Sequence, residues 1–113
     1  MRHSAVAVPL LVAFIACSKA PPPIPGAIAI RVDNKGFQPS AVFVKRGSAA
    51  TLVFTRTTDV TCATEVVVPE LSIRKDLPRG EPVAVPVPTD VDRSLTFQCG
   101  KGQFRGAVVV SGN

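Results

Sequence analysis

Apolar residues recur at every second position in short segments of this chain, most of them bounded by a glycine or proline. Ile28, Ile30 and Val32 alternate with Ala29, Arg31 and Asp33. A period of two places neighbouring side chains on opposite faces of a β-strand. Val42 and Val44 follow Pro39-Ser40 with the same spacing, and Leu52-Val-Phe-Thr, Glu65-Val-Val-Val, Pro82-Val-Ala-Val-Pro-Val, Ser94-Leu-Thr-Phe and Ala107-Val-Val-Val supply further strands. Asn34-Lys35-Gly36 and Lys45-Arg46-Gly47 read as turns. No segment carries a helical stripe, and there is no internal repeat. The stretch Pro69–Pro78 is the least regular and is read as a loop crossing between two sheets. Strand-length segments at intervals of about 8–12 residues, punctuated by Gly and Pro, predict an all-β sandwich. The part from Ala27 to Asn113, about 87 residues, can bury one modest core.

The N-terminal part has a different character. Residues 1–16 begin with Arg2 and His3 and then run apolar from Ala5 to Ile15, the pattern of a secretory signal. The run is short against the ~20 residues that a membrane-spanning helix needs. The tetrapeptide Phe14-Ile15-Ala16-Cys17 resembles a bacterial lipobox, with Phe14 where Leu is usual. That resemblance implies that Cys17 becomes the lipidated first residue of the mature protein. An ordinary secreted protein and an uncleaved anchor are the alternatives. Residues 17–26 continue as a proline-rich tether, an extended and semi-rigid spacer. The expected organisation is therefore a signal peptide at 1–16, a lipidated tether at 17–26 and one domain at 27–113. The expected place is extracytoplasmic, periplasmic or at the cell surface, held to the membrane by the lipid.

Charge removes one class of partner. The chain carries a formal net charge of +5, but its basic residues are scattered and it has no Trp or Tyr. Nucleic-acid binding uses a basic face together with stacking aromatics, so no nucleic-acid partner is expected. A mildly basic solvated surface accounts for the charge, and the domain is expected to be a monomer.

The chemistry rests on cysteine. Leu95-Thr-Phe-Gln-Cys99-Gly-Lys-Gly-Gln103-Phe-Arg-Gly106 delivers a thiol from a strand into a glycine-spaced loop, and Cys62 closes another strand-rich stretch. With Cys17 lipidated, these two form an even pair that could hold a metal, form a disulfide or do neither. An exported protein meets an oxidising compartment, which keeps the disulfide open as a reading. No enzyme signature is present. The chain has one histidine, His3, so neither cysteine has an imidazole base, and phosphate-loop and dinucleotide fingerprints are missing.

With strands and cysteines placed, the chain resembles the cupredoxin-like domains of bacterial copper-handling and iron-uptake proteins. The resemblance is carried by Gly36-Phe37-Gln-Pro39-Ser, Val44-Lys-Arg-Gly47, Cys62-Ala-Thr-Glu65-Val-Val-Val-Pro69, Ile73-Arg-Lys-Asp-Leu77-Pro, Phe97-Gln-Cys99-Gly100 and Phe104-Arg-Gly106-Ala-Val-Val-Val. It implies a Greek-key β-sandwich with a metal site at one end of the sheets, and it places Cys62 and Cys99 at ligand positions. The loop after the second cysteine usually reads Cys-Gly-Met-x-Met, whereas Lys101 and Gln103 stand at the methionine positions here.

A blue-copper site needs two imidazoles, a thiolate and a weak axial ligand. The only histidine and the only methionine, His3 and Met1, both lie in the signal segment. Two thiolates suit a soft monovalent ion instead. The expectation is a copper-binding protein that holds or relays Cu(I) through Cys62 and Cys99 and exchanges it with a donor or acceptor protein. Gln103 offers an amide oxygen in the loop, and Glu65 lies three residues beyond Cys62; both are secondary candidates. A Zn(II) site would want four good ligands. Lys101 and Arg105 would repel an incoming cation, yet they would favour the thiolate forms. The rival readings are electron transfer through copper, and a metal-free interaction module stapled by a disulfide.

Overall fold

The computed structural model of the chain describes residues 24–112. The expected signal peptide, Cys17 and the first part of the expected tether, up to residue 23, lie outside the described residues.

Nine strands form among the described residues: β1 (Ala27–Asp33), β2 (Gly36–Gln38), β3 (Ala41–Lys45), β4 (Thr51–Arg56), β5 (Glu65–Val68), β6 (Ile73–Asp76), β7 (Val83–Pro86), β8 (Arg93–Cys99) and β9 (Arg105–Ser111). They make a four-stranded sheet in the order β2-β1-β4-β7 and a five-stranded sheet in the order β3-β9-β8-β5-β6. Two pairings are parallel, β1 with β4 and β3 with β9; the rest are antiparallel. This is the all-β sandwich expected from the period-two pattern. No helix among the described residues is long and apolar enough to cross a membrane.

The alternation decides what enters the core. On β4, Leu52 and Phe54 are buried; on β9, Val108 and Val110 are; on β8 the buried row is Leu95, Phe97 and Cys99. Cys99 is thus the last member of an inward-facing row, which is why its sulfur lies inside. Beneath it, Phe37, Phe54 and Phe97 pack edge to face with ring centroids 5.1–5.8 Å apart. Burying each such ring contributes about 1.5–3 kcal/mol, and edge-to-face contacts add about 0.5–1.5 kcal/mol per pair. The Phe97 ring lies over Gly106, its cross-strand partner on β9. A Cβ at that glycine would run into the ring and into the Ser40 carbonyl.

The segment Pro69–Pro78 differs from its expectation. A single 3-10 turn at Pro69–Leu71 reverses the chain through Ser72, whose φ is 54°, and β6 then runs back along β5 in the same sheet. The crossing to the other sheet comes afterwards, between Leu77 and β7. The Glu70 carboxylate in the turn accepts the Thr96 N–H at 3.1 Å, at a point on β8 that β5 has already left. It supplies the partner that the missing strand residue would have given.

Candidate metal centre

The loop after β8 fixes the Cys99 thiol. The Cys99 N–H donates to the Phe104 carbonyl at 3.1 Å, and the Gly102 N–H donates to the Cys99 carbonyl at 2.8 Å. Gly102 closes this turn with φ +73°, a left-handed conformation that glycine adopts without strain. The Phe104 N–H then points back at the Cys99 sulfur at 3.4 Å, while the Phe104 ring rests on Gly36. The result is a buried sulfur held by backbone on three sides.

Cys62 lies in the irregular segment between β4 and β5 and is exposed. Arg56, at the end of β4, organises that segment. Its guanidinium donates to the Leu77 carbonyl at 2.6 Å, to the Thr58 carbonyl at 2.9 Å and to Asp59. Short Thr turns continue the path: Thr58 Oγ1 accepts the Val60 N–H and Thr61 Oγ1 accepts the Ala63 N–H, each at 3.0 Å. Ala63 is wholly buried, and the Thr64 N–H donates to the Cys62 carbonyl at 3.0 Å. Leu77, also buried, donates its N–H to the Thr64 carbonyl at 2.8 Å.

These two constructions bring the Cys62 and Cys99 sulfurs to 4.0 Å. Both cysteines are free thiols. The pair is electrostatically unequal. Burial pushes the Cys99 thiol up, but the N–H groups of Phe104, Lys101 and Gln103, with the Cys62 thiol, outweigh that and hold it below its ordinary 9.0. Cys62 lies above 9.0. The protein around its sulfur is the main cause, followed by its hydrogen bond to Cys99 and the charge there. Its own backbone N–H and the Lys101 ammonium oppose this. The two thiols titrate as a coupled pair, with Cys99 the one its surroundings favour as thiolate.

The other sequence candidates fall around this pair. Gln103 is exposed, and its backbone N–H is the group that acts on Cys99. Glu65 begins β5 and pairs with Arg74 across the β5–β6 hairpin. Its carboxylate stands against Gly100, leaving no room there for a Cβ. Lys101 is close enough to act on Cys62, and the Arg105 guanidinium donates to the Gly102 carbonyl at 3.3 Å. Among the described residues, no group of three or more His, Cys, Asp or Glu side chains is arranged to hold a metal ion. An apolar crevice lined by Leu52, Val68, Val85 and Leu95 among others includes neither cysteine. Two contributors escape sequence reading. The Phe104 N–H carries no residue-type signal, and Arg56 reads as one basic residue among many.

Fold and site together define a two-sheet β-sandwich with a solvent-reachable thiol pair at the end of its strands. Residues 6–110 match the family of cupredoxin-like domains, and the chain belongs to that family. No curated protein matches the sequence. Among solved structures, the metal binding domain of the Streptococcus pneumoniae Cu(I) exporting P-type ATPase, with Cu(I), superposes with a TM-score of 0.67. It is 24% identical, over 74% of this chain and 83% of that one. A copper binding protein studied in its apo form by NMR in solution is 28% identical, with a TM-score of 0.62 over 75% and 88% of the two chains. A reduced Cu(I) form of an amicyanin mutant gives a TM-score of 0.57 at 17% identity, over 75% and 82%.

Proposed function

We propose that this protein binds Cu(I) through Cys62 and Cys99 and passes it to or from a partner protein. It would work outside the cytoplasm, from a membrane to which a lipidated Cys17 tethers it. The observation that carries this reading is the 4.0 Å approach of two free thiols, one exposed and one buried. That gap is about twice a disulfide bond length of ~2.05 Å, and it leaves space for an ion to bond both sulfurs. The donor set fits the ion: thiolates are soft, and soft ligands select Cu(I). The family relationship and the copper named for two of the structural relatives support the same choice.

Copper is cargo here. A blue electron-transfer centre would require imidazoles, and the only histidine of the chain is His3. The protein acts by binding, with no catalytic step assigned to it. Lys101 beside Cys62 favours thiolate and offsets the single negative charge of a bis-thiolate Cu(I) centre.

The test is a competition titration of the reduced protein against a chromogenic Cu(I) chelator. One ion per chain is expected, and Cys62→Ser should abolish it. Reduced protein that fails to compete, or an intense blue absorption on adding Cu(II), would overturn the reading.

A further inference from the structure

We propose that the Cys62–Cys99 pair is a bent, incomplete cradle whose third coordination position is filled from outside the chain by a sulfur donor. Cys62 is the sulfur beside the opening and Cys99 the one that stays. This rests on the Cu(I) reading above.

The first argument is one of distance. Zinc–thiolate bonds are about 2.3 Å long, and a similar length is taken for Cu(I). Two sulfurs 4.0 Å apart then subtend roughly 120° at an ion bonded to both. A linear ion would need them roughly 4.6 Å apart at the same bond length. The separation found is shorter than a linear ion would span, so an ion bonded to both sulfurs is bent and leaves a side open to a third donor.

The second argument is one of inventory. No third His, Cys, Asp or Glu joins the pair among the described residues. Glu65 is engaged by Arg74 and turned against Gly100. Gln103 offers only an amide oxygen, a hard donor poorly matched to a soft monovalent ion, and its side chain is exposed. The chain has no methionine or histidine after residue 3.

The third argument is one of access. Cys99 has no exposed surface, and its N–H, carbonyl and sulfur are all held within the loop. Cys62 is exposed, and Val60 two residues before it is 74% exposed. An approaching donor therefore meets the Cys62 side of the pair. In transfer, an incoming thiol loses its proton and forms a third sulfur–copper bond. The Cys62–copper bond then breaks, and Cys62 takes up a proton. Copper remains Cu(I) throughout, and Cys99 is the last ligand to let go.

The test is X-ray absorption at the copper edge on the Cu(I)-loaded protein, alone and with glutathione, followed by gel filtration. The expected result is two sulfurs per copper in the protein alone and three with glutathione, with copper eluting with the protein. A short single-cysteine peptide run in parallel separates a protein donor from a small thiol. Gln103→Leu, a change at an exposed loop position, should leave both spectra as they are. A two-sulfur shell unmoved by either thiol overturns the proposal. So does a third donor lost in Gln103→Leu, or copper that passes to glutathione without a three-sulfur species. Protein that retains no Cu(I) overturns the functional reading as well, which separates the two failures.

Discussion

The Glu65 carboxylate occupies the space that any side chain at Gly100 would need. Glu65 opens β5, Gly100 opens the loop that holds Cys99, and Arg74 pins the carboxylate from β6. Three elements thus meet on one backbone position next to a thiol. Gly100 does not have a left-handed φ, so the demand for glycine there is one of space alone.

Gly100→Ala should therefore destabilise the fold by about 1–3 kcal/mol, the usual range for forcing extra volume into a packed place. In a Glu65→Ala background most of that cost should vanish. Urea unfolding midpoints for the two single variants and the double variant measure the coupling. Additive effects would show that the carboxylate is not what excludes the side chain.

The thiol pair predicts a pH dependence with a definite sign. Cys99 titrates below 9.0 in the folded chain and Cys62 above it. As pH rises to 9.0, the folded state gives up the Cys99 proton while the unfolded chain keeps its own, so stability rises. Above 9.0 the unfolded chain loses protons that folded Cys62 keeps, so stability falls. The difference in stability between the protein and its Cys62→Ser, Cys99→Ser variant should peak near the ordinary thiol value. Thiolate absorbance should show two steps, and Cys62→Ala should move the Cys99 step upward by removing a hydrogen-bond donor.

Cu(I) and oxidation should compete for the same two sulfurs. Diamide takes two electrons and two protons from the dithiol, forming the S–S bond and a hydrazine. Oxidised protein should have lost the mass of two hydrogens and bind no Cu(I) until it is reduced. Cu(I)-loaded protein should resist diamide. Linking cysteines 37 positions apart should also stabilise the fold by about 4 kcal/mol in the chain-entropy account, read as a raised urea midpoint. Oxidised protein that still takes up Cu(I) would place the metal elsewhere.

The aromatic cluster beneath the thiols sets the stability of the whole end. Phe97→Ala should cost about 3–5 kcal/mol, because Phe97 touches both other rings and is almost wholly buried. Gly106→Ala should cost about 1–3 kcal/mol, since its Cβ meets a ring already held between Phe37 and Phe54. Thermal or urea unfolding of the two variants checks both.

Much of this was legible in the residues. The alternation on β1, β4, β8 and β9 announces a sandwich, and the same period puts Cys99 in the inward row. Strand β6 was hidden because three of its four residues face solvent, so an edge strand reads as a loop. β2 was hidden by its three-residue length and an opening glycine. Cys62 reads as part of a strand-rich stretch but sits in the segment that Arg56 and three threonines shape through backbone contacts. Its approach to Cys99 depends on two sheets closing over one another, a relation that no local pattern encodes.

The parallel pairing of β3 with β9 joins strands from opposite halves of the sequence, Ala41 beside Ala107 and Lys45 beside Ser111. Within its sheet β3 has no other neighbour. A nascent chain can assemble hairpins as it emerges, yet β3 stays unmated until the final strand has been made. Clipping that strand would unzip two partners at once, leaving Phe43, 77% exposed even in the finished fold, on a raw edge open to recruitment by another copy.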